Sequence, residues 1–275
     1  MKTVVGMLHP GTMGVSVAVA AMQNARVIWA SHGRSTQSRE RAAQHRLTDV
    51  DTVAAMCNEA EFLISVCPPH AAEDVAREVI GHGYKGRYLD ANAISPQRMR
   101  RIAGALVDAG CVPVDGGIIG APAWSRGGTT LALSGSDVGD VEALFNGSNL
   151  QTQNLGSEIG RASALKMCYA AWSKGSTALL AAVLAASGNH GVREALEAHW
   201  NVADPGMMIS AAHRISAAAP KAWRWVGEMH EIADTFEAIG QPREFYDGAA
   251  KTFEQLAGFR DASINLEEAL AELMH

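Results

Sequence analysis

The most constraining feature of the chain is the turn between its first two hydrophobic segments. Thr3–Leu8 reads as a short apolar strand. Met13–Gln23 is a run of small and apolar residues, suited to a helix packed closely on a sheet. Between them lies His9-Pro10-Gly11-Thr12-Met13-Gly14. A strand that passes through bare backbone into an apolar helix opens a parallel α/β layer, because each exposed apolar face needs a covering element.

The next stretch repeats that alternation. Arg26–Ala30, Phe62–Val66, Tyr88–Asp90, Val112–Asp115 and Thr130–Ser134 read as strands. Thr36–Arg46, Ala71–Ile80 and Pro96–Ala109 read as helices between them. Past about residue 158 strand signals vanish. Arg161–Ser187, Arg193–His199, Met207–Ala219, Lys221–Ile239, Glu244–Leu256 and Asn265–Met274 read as helices, punctuated by Gly, Pro and Asn. The expected organisation is an α/β domain over residues 1–158, with a doubly wound, mostly parallel sheet of Rossmann type, and an all-helical domain over 159–275.

In such a domain the first turn is where a dinucleotide's pyrophosphate approaches. Gly11 and Gly14 hold the second and third positions of G-x-G-x-x-G, and His9 replaces the first glycine. His9 either contacts a phosphate or shapes the turn. Pro10, Thr12 and Met13 complete the segment, and the helix N-terminus behind Gly11 offers N–H groups and a positive dipole end. After the second strand an NAD site usually carries Asp or Glu for the ribose hydroxyl. Here the chain reads Ala30-Ser31-His32-Gly33-Arg34-Ser35, with no acid. Ser31, Arg34 and Ser35 are donors suited to a 2′-phosphate, which points to NADP, with NAD as the alternative.

Bulk properties narrow the remaining classes. The 275 residues are 48% hydrophobic with a formal net charge of -6, which argues against a general nucleic-acid binder. Cys57, Cys67, Cys111 and Cys168 are too few and too widely spaced for a disulfide framework or a zinc site, and read as buried free thiols. With no secretory leader or membrane span in the pattern, a soluble cytoplasmic protein is expected, without metal.

The order of motifs resembles the β-hydroxyacid dehydrogenases, the family that includes 6-phosphogluconate and 3-hydroxyisobutyrate dehydrogenases. Gly11-Thr12-Met13-Gly14 matches the family's opening turn, and Val66-Cys67-Pro68-Pro69 looks like its proline loop near the nicotinamide ribose. Asp90-Ala91-Asn92-Ala93-Ile94-Ser95-Pro96 is similar to the substrate-binding segment, with Asn92 in place of serine. Asp115-Gly116-Gly117-Ile118-Ile119-Gly120-Ala121 loosely matches a second one, with Ile119 in place of serine. Gly160 and Lys166 fit the catalytic signature, and Tyr169 replaces its asparagine. The run Ala162–Gly175 resembles the 6-phosphogluconate-dehydrogenase-like subgroup with its own C-terminal helical domain of unassigned function.

The resemblance implies an NADP-dependent oxidoreductase acting on a small hydroxy acid or its carbonyl partner. Lys166 would serve as general acid and base, and Tyr169 would orient substrate or pass a proton. Asn92, Ala93, Gly117, Gly120 and Ser173 would line the substrate. Imine reduction on the same fold, and cofactor binding without turnover, are the alternatives. Lys174 is either an anion donor or a snorkelling face residue. Trp223, Trp225, Glu228, Met229 and His230 occupy the region where relatives place a lysine–aspartate pair, and equally suit a core. A homodimer through the helical half is expected.

Overall fold

The computed structural model describes residues 2–274. The chain forms two compact units, Met1–Met167 and Cys168–His275.

The first unit is a layered α/β fold. Its strands are β1 Thr3–Met7, β2 Ala25–Trp29, β3 Thr48–Asp49, β4 Phe62–Ser65, β5 Arg87–Asp90, β6 Val112–Gly120, β7 Thr129–Ser134 and β8 Leu150–Asn154. Its helices are α1 Thr12–Ala21, α2 Thr36–Gln44, α3 Val53–Glu59, α4 Ala72–Gly81, α5 Pro96–Asp108 and α6 Val138–Phe145, and α7 Arg161–Ala170 begins in it. The described strands form one eight-stranded sheet in the order β3-β2-β1-β4-β5-β6-β7-β8. Pairing is parallel throughout except for β6 with β7. The chain winds outward from β1 in one direction and from β4 in the other, so the doubly wound switch point lies between them.

Close packing explains the composition of the first segments. Val15, Val17, Ala18 and Ala21 of α1 are fully buried, and they join Val5, Val27, Ile64 and Leu131 in the core on one face of the sheet. Leu63, Tyr88, Ile94, Met99 and Leu106 fill the other face. A Cβ on Gly6 would lie 2.5 Å from Leu63 Cδ2 and 2.7 Å from Met56 Cγ, so a larger residue at that point of β1 would displace these buried side chains.

The structure extends the sequence expectations at several points. β6 continues five residues past Asp115, through the Gly116-Gly117 pair, beyond the strand expected over Val112–Asp115. A Cβ on Gly116 would lie 2.9 Å from Leu89 Cδ1, and one on Gly117 2.6 Å from the Ala162 carbonyl oxygen, so the glycines admit close packing rather than a bend. β3, α3, α6 and β8 are additional to the elements that the sequence pattern predicts. Only Leu150 of β8 is buried, so this polar edge strand carries little hydrophobic alternation.

The second unit is helical: α8 Ser176–Asn189, α9 Arg193–Ala203, α10 Met207–Ala218, α11 Ala222–Glu237, α12 Glu244–Gln255 and α13 Leu266–Leu273. The single helix expected over 161–187 is instead α7, a π-helical turn Ala171–Gly175, and α8. Wide turns of this kind release backbone carbonyls that need new partners. The Ser173 carbonyl accepts from Thr177 Oγ1 at 2.8 Å and from Arg214 Nη2 at 3.4 Å. All four cysteines are free, but only Cys57 and Cys111 are buried, Cys67 being half-buried and Cys168 exposed.

Candidate functional site

Strand register aligns the ends of the sheet. Met7 is level with Trp29 and Ile64, Ile64 with Leu89, and Leu89 with Val114. His9, Pro10, Ser31, Val66, Cys67 and Asn92 therefore all follow the C-terminal ends of parallel strands, and Gly117 and Gly120 lie on β6 past Asp115, its last residue paired with β5, on the edge where open α/β sheets bind ligands.

The first turn is tight. The Gly11 N–H donates to the His9 carbonyl at 2.9 Å, and Val15 N–H donates to the Gly11 carbonyl at 2.8 Å. The two glycines have different reasons to be there. A Cβ on Gly14 would lie 2.1 Å from the His9 carbonyl oxygen, so protein packing alone demands glycine. A Cβ on Gly11 would meet nothing within 4 Å, and its φ of -67° suits any residue. Bare backbone with open space above it, at an α1 N-terminus without a side-chain cap, fits a phosphate group. Thr12 is exposed in the same first turn and Met13 is half-buried.

The charge of Arg34 reaches His9. Burial, with Arg34 close by, lowers His9 to a pKa of about 4, so the imidazole is neutral at pH 7. His9 Nδ1 and Arg34 Nε are both buried, and neither has a hydrogen-bond partner among the described residues. Cys67, also within reach of Arg34's charge, is pushed up to about 12, chiefly by burial, and stays a thiol. Ser35 is the N-cap of α2, its Oγ accepting from Ser38 N–H at 3.3 Å.

Two further residues at this end act on the backbone of other segments. Arg41 Nη1 donates to the Pro10 carbonyl at 3.2 Å, bracing the glycine turn from α2. Asp49, on β3, accepts from Ser31 N–H at 3.2 Å and from Asp51 N–H at 2.9 Å through Oδ1. A carboxylate therefore does stand beside the end of β2, supplied by the neighbouring strand. The signal was out of reach because β3 has two residues.

The proline loop is held from below. Asn92 is only 2% exposed. Its Oδ1 accepts from Cys67 N–H at 2.6 Å and its Nδ2 donates to Ser65 Oγ at 3.0 Å. Its carboxamide thus fixes Val66-Cys67-Pro68. Ala93, beside it, is half-buried. Asp90 is completely buried and raised to a pKa of about 7, first by desolvation and less by Asp115. Gly120, at φ 111°, closes onto the Gly128 carbonyl in the β6–β7 hairpin, where a Cβ would lie 2.1 Å away.

Lys166 is half-buried on α7, and the site of a Gly117 Cβ lies 3.0 Å from its Cβ. The bare strand at Gly117 thus lets the helix bring Lys166 down beside β6, beyond the level of Asp90. No carboxylate forms an ion pair with it among the described residues.

In the second unit Tyr169 is 49% exposed. Ser173, half-buried in the π turn, spends its carbonyl on Thr177 and Arg214. Lys174 is ion-paired with Glu228, both side chains being mostly buried, and lies 4.9 Å over the Trp225 ring. Trp225 packs edge-on to Phe253 at 5.2 Å, Trp223 lies under Arg260, and Met229 is fully buried. The aromatic and methionine stripe builds helix packing, and Glu228 neutralises Lys174.

Comparisons with known proteins agree with this architecture. Residues 3–146 match the family model of the NAD binding domain of 6-phosphogluconate dehydrogenase. Residues 188–256 match a Domain of unknown function (DUF1932). No curated protein matches the chain. Among solved structures, the conserved protein MTH1747 of unknown function, described as similar to 3-hydroxyacid dehydrogenases, is 25% identical with a TM-score of 0.70, over 98% of this chain and 99% of that one. The Mycobacterium tuberculosis 3-hydroxyisobutyrate dehydrogenase, solved with L-serine, is 15% identical with a TM-score of 0.74, each chain being covered completely. A reductive aminase from Aspergillus terreus, solved with NADPH and ethyl levulinate, is 15% identical with a TM-score of 0.59, over 98% of this chain and 99% of that one. The match over residues 3–146, more than half of the chain, places it in the family that carries the NAD binding domain of 6-phosphogluconate dehydrogenase.

Proposed function

We propose that the chain is an NADP-dependent oxidoreductase that transfers a hydride between the nicotinamide and a small hydroxy acid or its carbonyl partner. The carrying observation is Lys166: a half-buried amine without a carboxylate partner among the described residues, on the same sheet edge as the glycine turn. Bound nicotinamide supplies or accepts the hydride. Gly11 and the first turn of α1 would hold the pyrophosphate, and Val66-Cys67-Pro68 would border the nicotinamide ribose. Ser31, Arg34 and Ser35 would read the 2′-phosphate. The Lys166 ammonium donates a proton to the carbonyl oxygen as it gains alkoxide character, and the neutral amine takes it back in the reverse direction. Tyr169 and Ser173 are further proposed substrate contacts.

Two observations favour second readings. Asp49 beside Ser31 is the kind of group that favours the free ribose hydroxyl of NAD. Tyr169, in place of the family's asparagine, suits a proton donor for imines. One experiment separates them all: oxidation of a panel of hydroxy acids, and reduction of cyclic imines, with both nucleotides. KM should be lower for NADPH than for NADH. Arg34→Ala should raise KM for NADPH roughly tenfold or more, the scale of one lost charge-assisted contact, and leave NADH nearly unchanged. Equal effects on both nucleotides would remove Arg34 from 2′-phosphate recognition. Tight NADPH binding without turnover would favour a cofactor-binding protein.

The helical unit is proposed to pair with a second copy. None of the residues of α9 is buried, although it carries Leu196 and Trp200. Leu179, Val202 and Ile209 are 60%, 86% and 80% exposed. So much uncovered apolar surface marks a binding face. Light scattering at micromolar concentration should give twice the 29.1 kDa chain mass. A single chain's mass would sink the dimer. No helix among the described residues is long and apolar enough to cross a membrane.

A further inference from the structure

We propose that Asp115 is the positioning residue of Lys166, a buried carboxylate on β6 that takes the place of an N-cap for the helix bearing the lysine. This rests on the reading of Lys166 as proton donor. Asp115 is fully buried at the level where β5 ends. Its Oδ2 accepts from Gly160 N–H at 2.8 Å, Ala162 N–H at 3.0 Å and Ser163 N–H at 3.1 Å. The same oxygen accepts from Ser134 Oγ at 2.9 Å, while Oδ1 accepts from Ser163 Oγ at 2.6 Å.

A helix leaves its first N–H groups without intrahelical partners, and a residue at the N-cap normally satisfies one of them. α7 is served instead from a different element, forty-five or more residues away in sequence. Gly160, at φ 102°, lets the chain turn so that its own N–H joins the helix N–H groups on one oxygen. The carboxylate also opposes the positive end of the helix dipole. Two residues further along the same face of β6 stands Gly117, where a Cβ would lie 2.6 Å from the Ala162 carbonyl oxygen and 3.0 Å from Lys166 Cβ, so the bare position admits α7 closely. Asp115 therefore fixes where α7 begins and how it is rotated about its axis, while Gly117 fixes how deep it sits. Together they set the height of Lys166 above the strand ends.

Asp115→Asn tests this with little change of shape. The amide oxygen can still accept the helix N–H groups, and the amide nitrogen can donate to Ser163 Oγ, but the charge is lost. Two measurements are paired. In the first, trace acetic anhydride labels the lysines of the intact protein, and mass spectrometry quantifies each. Labelling of Lys166 should rise at least threefold while Lys2, Lys85 and Lys251 stay unchanged. In the second, kcat should fall at least tenfold with KM for the nucleotide changed less than twofold.

A lower melting temperature with Lys166 labelled at the wild-type rate, or all lysines labelled faster together, would reduce Asp115 to a general structural role and overturn the proposal. If wild-type protein turns over no substrate, the functional reading fails while the labelling result still decides this one. Should Asp115→Asn not fold, Ser163→Ala removes the side-chain donor alone. It should raise Lys166 labelling in the same direction by a smaller factor, and unchanged labelling there would equally overturn the proposal.

Discussion

Replacing Lys166 with methionine should lower turnover roughly a hundred- to ten-thousandfold, the range in which a positioned acid–base group contributes, while the nicotinamide nucleotide still binds. Methionine keeps an unbranched side chain of similar length, so the contact with Gly117 survives and the ammonium alone is lost. With no carboxylate paired to the amine among the described residues, its removal leaves no buried countercharge behind, and the melting temperature should move little. The measurement is kcat on whichever hydroxy acid the wild-type chain oxidises, beside nucleotide affinity from NADPH fluorescence. Because an alkoxide forms only as hydride moves, the lost interaction is one made in the transition state, so kcat and kcat/KM should fall together. Turnover within threefold of wild type would end the assignment. Loss of nucleotide binding in the same variant would instead make Lys166 part of the cofactor cradle.

The sheet was legible because buried parallel strands are short apolar runs between glycine and proline punctuation, as in Phe62–Ser65 before Cys67-Pro68-Pro69. The strand that was cut short, β6, shows where that logic fails. Glycine pairs signal turns when read locally, but Gly116 and Gly117 are bare because a strand and a helix approach them from either side. Whether a glycine serves a bend or a close approach is decided by residues forty or more positions away, such as Ala162. The site divides in the same way. Gly14 is legible because a glycine is needed where the helix of a strand–turn–helix unit packs back on its turn, whereas Lys166 enters through the family resemblance and its role, like those of Gly11 and Arg34, is a proposal. Asp49, Arg41 and Asp115 act across elements, on backbone groups of other segments, and a single sequence carries no trace of such pairings. Asn92 was read as a substrate contact from its place in a motif, yet both ends of its carboxamide are engaged with Ser65 and Cys67. Lys174 and Glu228 looked like two separate features fifty-four residues apart and are one ion pair.

The glycine turn offers the sharpest contrast between fold and function, because its two glycines should fail differently. In Gly14→Ala the new methyl would sit 2.1 Å from the His9 carbonyl oxygen. That oxygen accepts the Gly11 N–H, so it cannot retreat without opening the turn. Overpacking against backbone costs about 1–3 kcal/mol, occasionally more, so this variant should melt several degrees lower and bind nucleotide at least tenfold more weakly. In Gly11→Ala the methyl meets no protein atom within 4 Å, and the backbone at φ -67° accepts alanine without strain. Its stability should stay within about 1 kcal/mol of wild type, since alanine is the poorer N-cap but also restricts the unfolded chain. Its nucleotide affinity should nevertheless fall tenfold or more, because the methyl occupies the space through which a pyrophosphate reaches the α1 N–H groups. Calorimetry of the free proteins and NADPH titration of each measure the two quantities separately. If Gly11→Ala bound NADPH as tightly as wild type, the phosphate would not pass over Gly11, and the bare backbone there would need another explanation. If Gly14→Ala melted at the wild-type temperature, the turn would be more compliant than a 2.1 Å approach allows.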